Sequence, residues 1–140
     1  MLRAHLRPHE VSNIIISATM SVPGEVSPES LMSHRRTDGF LDAGYHYFID
    51  HHARVRSGVP VTERGSWLPR HSGDSIFLLL DGGRRRQWEI ADTFTEEQLS
   101  VVNRLTRQLQ KEYPSARQVL HRELFKGINP VFNKERLNAE

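Results

Sequence analysis

The sequence predicts an α/β domain in which a mixed central β-sheet is flanked by helices. Three features carry that expectation. Two aliphatic runs, Asn13-Ile14-Ile15-Ile16-Ser17 and Ser75-Ile76-Phe77-Leu78-Leu79-Leu80, have strand length and lack polar alternation, the pattern of strands buried on both faces. A capped amphipathic helix begins after Phe94. The patterns follow one another as strand, helix, hairpin, strand, helix, strand, which puts helices on the faces of a sheet.

After the first strand, Ser21-Val22-Pro23-Gly24 reads as a loop. Ser27 then reads as an N-cap with Pro28 at the first helical position. That helix runs to about Thr37, where Gly39 offers a stop. Tyr45-His46-Tyr47-Phe48-Ile49 reads as an aromatic strand, and His51-His52-Ala53 turns it back into Arg54-Val55-Arg56. The adjacent histidines at that tip are expected to point apart into solvent. Residues 57–74 show no periodicity and read as a long loop, a class that is usually functional or mobile. In the second helix, Thr95 and Gln98 form a capping box, and Leu99, Val102, Leu105, Leu109 and Tyr113 share one face. Pro114 ends it, and a short strand near Gln118-Val119-Leu120 leads to His121.

The chain of 140 residues has the size of one domain, with a basic arm over 1–8 and the domain over 9–140. Cysteine is absent, which excludes disulfides and thiolate metal ligands. No run approaches the roughly 18 apolar residues of a membrane span, and the basic N-terminus lacks the apolar stretch of a secretory signal. The expected location is therefore the cytoplasm, with no membrane partner. The net charge is only +2, but there are sixteen Arg against three Lys. The cluster Arg84-Arg85-Arg86 reads as a solvated turn rather than a nucleic-acid patch, since so small a net charge leaves little electrostatic footprint.

Several segments together resemble one family. Ile15-Ile16-Ser17-Ala18-Thr19 resembles the first-strand motif of the type 2 N-acetylmuramoyl-L-alanine amidases. Gly39-Phe40-Leu41-Asp42-Ala43-Gly44-Tyr45-His46-Tyr47 resembles their glycine-aromatic segment that ends in Gly-Tyr-His-Phe. Asp74-Ser75-Ile76-Phe77 resembles their Asn-Ser-Ile-Gly strand. Phe94-Thr95 with Gln98, then Tyr113-Pro114, resembles the long-helix region, and His121 with Asn129-Pro130-Val131-Phe132 resembles the C-terminal ligand motif. The likeness spans roughly residues 9 to 137 and is nearest to the small cytosolic phage amidases called lysozymes; peptidoglycan recognition proteins share the fold.

The resemblance implies a zinc ion on three side chains. The first-strand histidine position is Ile15 here, the last-strand histidine is kept as His121, and the Cys or Asp before proline is Asn129. Ile15 supplies no lone pair and a neutral amide is a poor zinc ligand. The zinc site is therefore expected to be vestigial and the ion absent. The family's catalytic tyrosine is kept as Tyr45, while its Lys or Thr falls on Gly127 with Lys126 one residue away, so both Tyr45 and Lys126 are vestigial in this reading. A central-loop histidine of many relatives falls on Trp67, a typical binding anchor on a surface loop. Tyr45, Trp67, Arg70 and His121 are the expected walls of a binding cleft.

The expected function is a catalytically inactive, amidase-like binding or regulatory protein. It would act through protein contact, such as the RNA polymerase inhibition some of the small phage amidases perform. Two alternatives stay open: a module that binds peptidoglycan fragments without cutting them, and a surviving amidase that cleaves the muramic acid–L-alanine amide bond.

Overall fold

The computed structural model describes residues 5 to 138. Among the described residues there are seven strands: β1 (Asn13–Ala18), β2 (Tyr47–Ile49), β3 (Val55–Ser57), β4 (Ser75–Leu80), β5 (Arg84–Arg86), β6 (Glu89–Ile90) and β7 (Arg117–Leu120). The helices are α1 (Pro28–Thr37), α2 (Glu96–Glu112) and the short α3 (His121–Leu124). Five strands form a mixed sheet in the order β3-β2-β4-β1-β7, with β3 antiparallel to β2 and the other neighbours parallel.

The uninterrupted apolar runs follow from burial on both faces of this sheet. Alternate residues Ile14, Ile16 and Ala18 of β1 and Ile76, Leu78 and Leu80 of β4 pack with Leu99, Val102 and Leu109 of α2. The intervening residues Ile15, Phe77 and Leu79 face the other way, with Tyr45 and Phe48, against Leu31 of α1 and Trp67 and Leu68 of the long loop. One face is thus a closed core under α2. The opposite face lies beneath α1 and the loop, and it holds the candidate site.

Both long helices start where the sequence places them. Ser27 accepts from Ser30 N–H and Thr95 from Gln98 N–H, each completing a reciprocal capping box. Gln98 does more than cap. Its fully buried amide accepts from Thr95 N–H and donates to the carbonyls of Asp50 and Asp81, tying α2 to the ends of β2 and β4.

Four local expectations need correction or qualification. Arg84–Arg86 is not a turn; it pairs with Glu89–Ile90 as a small antiparallel ribbon. The aromatic strand begins at Tyr47 rather than Tyr45, although His46 N–H still bonds Phe77 O. The tip histidines do not point apart: their ring centroids lie 4.0 Å from each other, and His51 turns inward to Asp81. Of the basic arm, Met1–Ala4 lie outside the described residues, whereas Leu6 is buried in the core and bonds Thr62 O. Among the described residues, no helix is long and apolar enough to cross a membrane.

Candidate functional site

Three positions converge on β1. Ile15 is fully buried, level with Phe77 on the neighbouring strand. Two residues on, and on the same face, Ser17 Oγ lies 2.9 Å from His121 Nδ1. Next to it, the backbone of Ala18 is gripped by Asn129: Oδ1 accepts from Ala18 N–H at 2.7 Å, and Nδ2 donates to Ala18 O at 3.1 Å. Both ends of the Asn129 carboxamide are therefore committed. His121 packs edge-on against Phe125 at 5.1 Å, and burial lowers its pKa, so the neutral ring is favoured.

The ground beside Ile15 is filled by Phe77. Its ring is 1% exposed and stacks on His46 at 5.6 Å. His46 is itself fully buried and bridges two segments. Nδ1 accepts from Phe77 N–H at 2.9 Å, so Nε2 carries the proton and donates to Glu63 O at 2.8 Å. Desolvation holds its pKa below the ordinary value. The loop can close here only because position 65 is glycine, since a Cβ there would lie 2.9 Å from Phe77 Cδ2.

Tyr45 is 2% exposed, with its ring edge-on to Trp67 at 5.8 Å. Burial raises its pKa, which keeps the phenol protonated. Tyr45 also lines a groove of about 470 Å³ between α1 and the segment Ser57–Val59, with Met32, Leu41 and Val59 as further apolar walls and Glu29, Arg36 and Asp42 as polar ones. Arg35 fastens the loop to α1. Its guanidinium bonds Asp42 O and Ser66 Oγ and lies 4.0 Å over the Phe40 ring.

Of the expected cleft residues, Tyr45 and Trp67 are brought together, and Trp67 is half-buried against the core rather than freely displayed. Arg70 stands exposed on a 3-10 turn two residues after Leu68, and His121 lies beside Ser17. Lys126 is exposed, next to an equally exposed Gly127. His71 bonds Asp74 and contacts Phe125 edge-on. One contact went unanticipated: the buried carboxylate of Asp81, 1% exposed, accepts from Gly24 N–H and faces the half-buried His51 Nδ1 at 3.2 Å, while its other oxygen has no partner. Nothing in the local sequence foretells it, because the pair joins residues thirty apart.

The chain is similar in sequence to phage endolysins. It is 26% identical to the endolysin of Enterobacteria phage K11 over 112 residues, covering 80% of this chain and 74% of the relative. It is 25% identical to the endolysin of Escherichia phage T7 over 138 residues, covering 97% of this chain and 91% of the relative. No family model matches. In three dimensions it resembles the Ph2119 endolysin from the Thermus scotoductus bacteriophage Ph2119, with a TM-score of 0.78 at 22% identity over 96% of this chain and 86% of the other. It also resembles the N-acetylmuramoyl-L-alanine amidase LysC from Clostridium intestinale, with a TM-score of 0.73 at 17% identity over 100% and 96%. The chain has the fold shared by amidases and peptidoglycan recognition proteins. Peptidoglycan recognition proteins LCa and LCx, solved with tracheal cytotoxin bound, share this amidase fold with a TM-score of 0.71 at 18% identity over 93% of this chain and 81% of the other.

The resemblance to amidases implies a zinc ion at Ile15, His121 and Asn129. The residues at the three positions do not fit one. Ile15 offers carbon only, Asn129 has spent both polar atoms on Ala18, and His121 alone retains an imidazole. Among the described residues, no three His, Asp or Glu side chains gather so as to hold a metal elsewhere. The ring beside Ile15 has a sequence signal of its own, because Phe77 stands where the resembled Asn-Ser-Ile-Gly segment has glycine.

Proposed function

We propose that this chain binds muropeptide in the groove of an amidase fold without hydrolysing it. The observation that carries the reading is the closure of the ligand positions: Asn129 is clamped to Ala18, while Ile15 lies beside the Phe77 ring. In an active amidase, zinc would make hydroxide from water and polarise the amide carbonyl. Here no described group substitutes for the missing donors, so the amide bond of a bound ligand meets no activated water.

Binding requires less. The groove beside Tyr45 offers apolar walls for sugar faces and methyl groups, with Glu29, Arg36 and Asp42 for amides, carboxylates and ammonium groups. Muropeptide recognition on the same scaffold is supported by the tracheal cytotoxin complex of peptidoglycan recognition proteins LCa and LCx. The expected contact with an RNA polymerase finds no support in this geometry, and muropeptide takes its place as the ligand.

Sedimentation with purified peptidoglycan, run beside elemental analysis and a peptide-release assay, tests the reading. The expected result is a chain that pellets with the wall, carries no stoichiometric zinc and releases no peptide. Arg36→Ala and Leu41→Ala, which strip exposed walls of the groove, should weaken pelleting. One zinc per chain with peptide release would establish a surviving amidase instead. A chain that stays in the supernatant would dispose of the binding role.

A further inference from the structure

The β5–β6 ribbon lies outside the groove. It is a separate two-stranded unit, fixed at its base by the pairing of Gly83 with Ser21 and by Arg84, which bonds Met20 O and Gln87 O. Beyond that base, Arg85, Arg86, Gln87 and Trp88 are all exposed, with Trp88 at 78% and Ile90 of the returning strand at 42%. The Arg85 side chain pairs with Glu89, and the Arg86 guanidinium has no hydrogen bond or ion pair among the described residues. Residues 84–90 contain three arginines and one glutamate, a net of +2, and the entire chain also carries a formal +2. The ribbon is therefore a local concentration of positive charge beside an exposed indole.

We propose that the ribbon tip is a docking surface for the headgroup region of an anionic lipid bilayer. Guanidinium groups pair with lipid phosphates, and an indole with one apolar face and one N–H donor suits the boundary between headgroup and acyl chain. Shape favours a bilayer over single-stranded nucleic acid. A strand of bases calls for a basic groove with successive stacking rings, whereas this is a short projecting ribbon with a single aromatic ring. Such docking is peripheral and needs no spanning helix.

The full chain should co-sediment with phosphatidylglycerol vesicles and not with phosphatidylcholine vesicles. Each arginine contributes about a fivefold change in partition at low salt, so R85S/R86S should weaken binding about 25-fold, and W88A should weaken it as well. All three substitutions are at exposed positions, and circular dichroism verifies that the variants stay folded. A parallel titration with a fluorescent oligothymidylate separates the two anionic partners. The proposal is overturned by equal sedimentation with both vesicle types, by no sedimentation, by binding that the variants leave unchanged, or by oligothymidylate binding tighter than that of the anionic vesicles.

Discussion

Removal of His46 reaches beyond its own segment, because one ring satisfies two backbone groups from different segments. His46→Ala leaves Phe77 N–H and Glu63 O without that partner and opens a cavity, for an expected loss of about 3 kcal/mol in denaturant unfolding. The same ring sets a pH dependence. Its folded pKa is lowered by burial, so as pH falls through about 6.5 the unfolded chain takes up the proton first. The stability it contributes is complete above that pH and is lost progressively below it. Urea midpoints at pH 7.5 and 5.5 should fall with pH in the parent and change less in His46→Ala. Asn129→Ala removes two bonds to Ala18 and should cost about 1–2 kcal/mol. The chemical identities of Ile15 and Asn129 were legible from sequence alone. The partners of His46 and Asn129 were not, because Glu63 and Ala18 meet them only through long-range closure of the chain.

At the level of elements, the sequence signals that proved reliable are local. Ser27, Pro28, Thr95 and Gln98 announce helix starts because a cap and its partner lie three residues apart. Thr95→Ala should cost about 1 kcal/mol in thermal or denaturant unfolding. Gln98→Ala should cost more, about 2–3 kcal/mol, since it also strips donors from the buried carbonyls of Asp50 and Asp81. Elements without such a signature escaped. The β5–β6 ribbon is three residues paired with two, too short for alternation to register. The C-terminal turn Lys134–Asn138 is held by Leu137 in the core and by Arg136, which reaches Asp92, Glu96 and Phe94 O. Those contacts cross some forty residues of sequence.

The whole molecule divides its sheet between a face closed under α2 and a face that carries the candidate site, and substitutions at the site have to be weighed against both. Restoring ligands with Ile15→His and Asn129→Cys leaves the Phe77 ring in place. Adding Phe77→Gly should raise zinc affinity about tenfold over the double variant, measured by competition with a chromogenic chelator. The same change should cost about 3–5 kcal/mol of stability, because the ring is also the packing partner of Ile15, His46 and Gly65. Affinity for metal and resistance to unfolding therefore trade against each other across one strand pair.

The edge-on contact between Trp67 and Tyr45 supplies an optical gauge at the border of the groove. The chain has two tryptophans, and Trp88 is washed by solvent, so iodide extinguishes its light first. What remains glowing belongs to the sheltered indole. A sugar or peptide that slides against that pair shifts its colour, and occupancy can be read from the unlabelled chain.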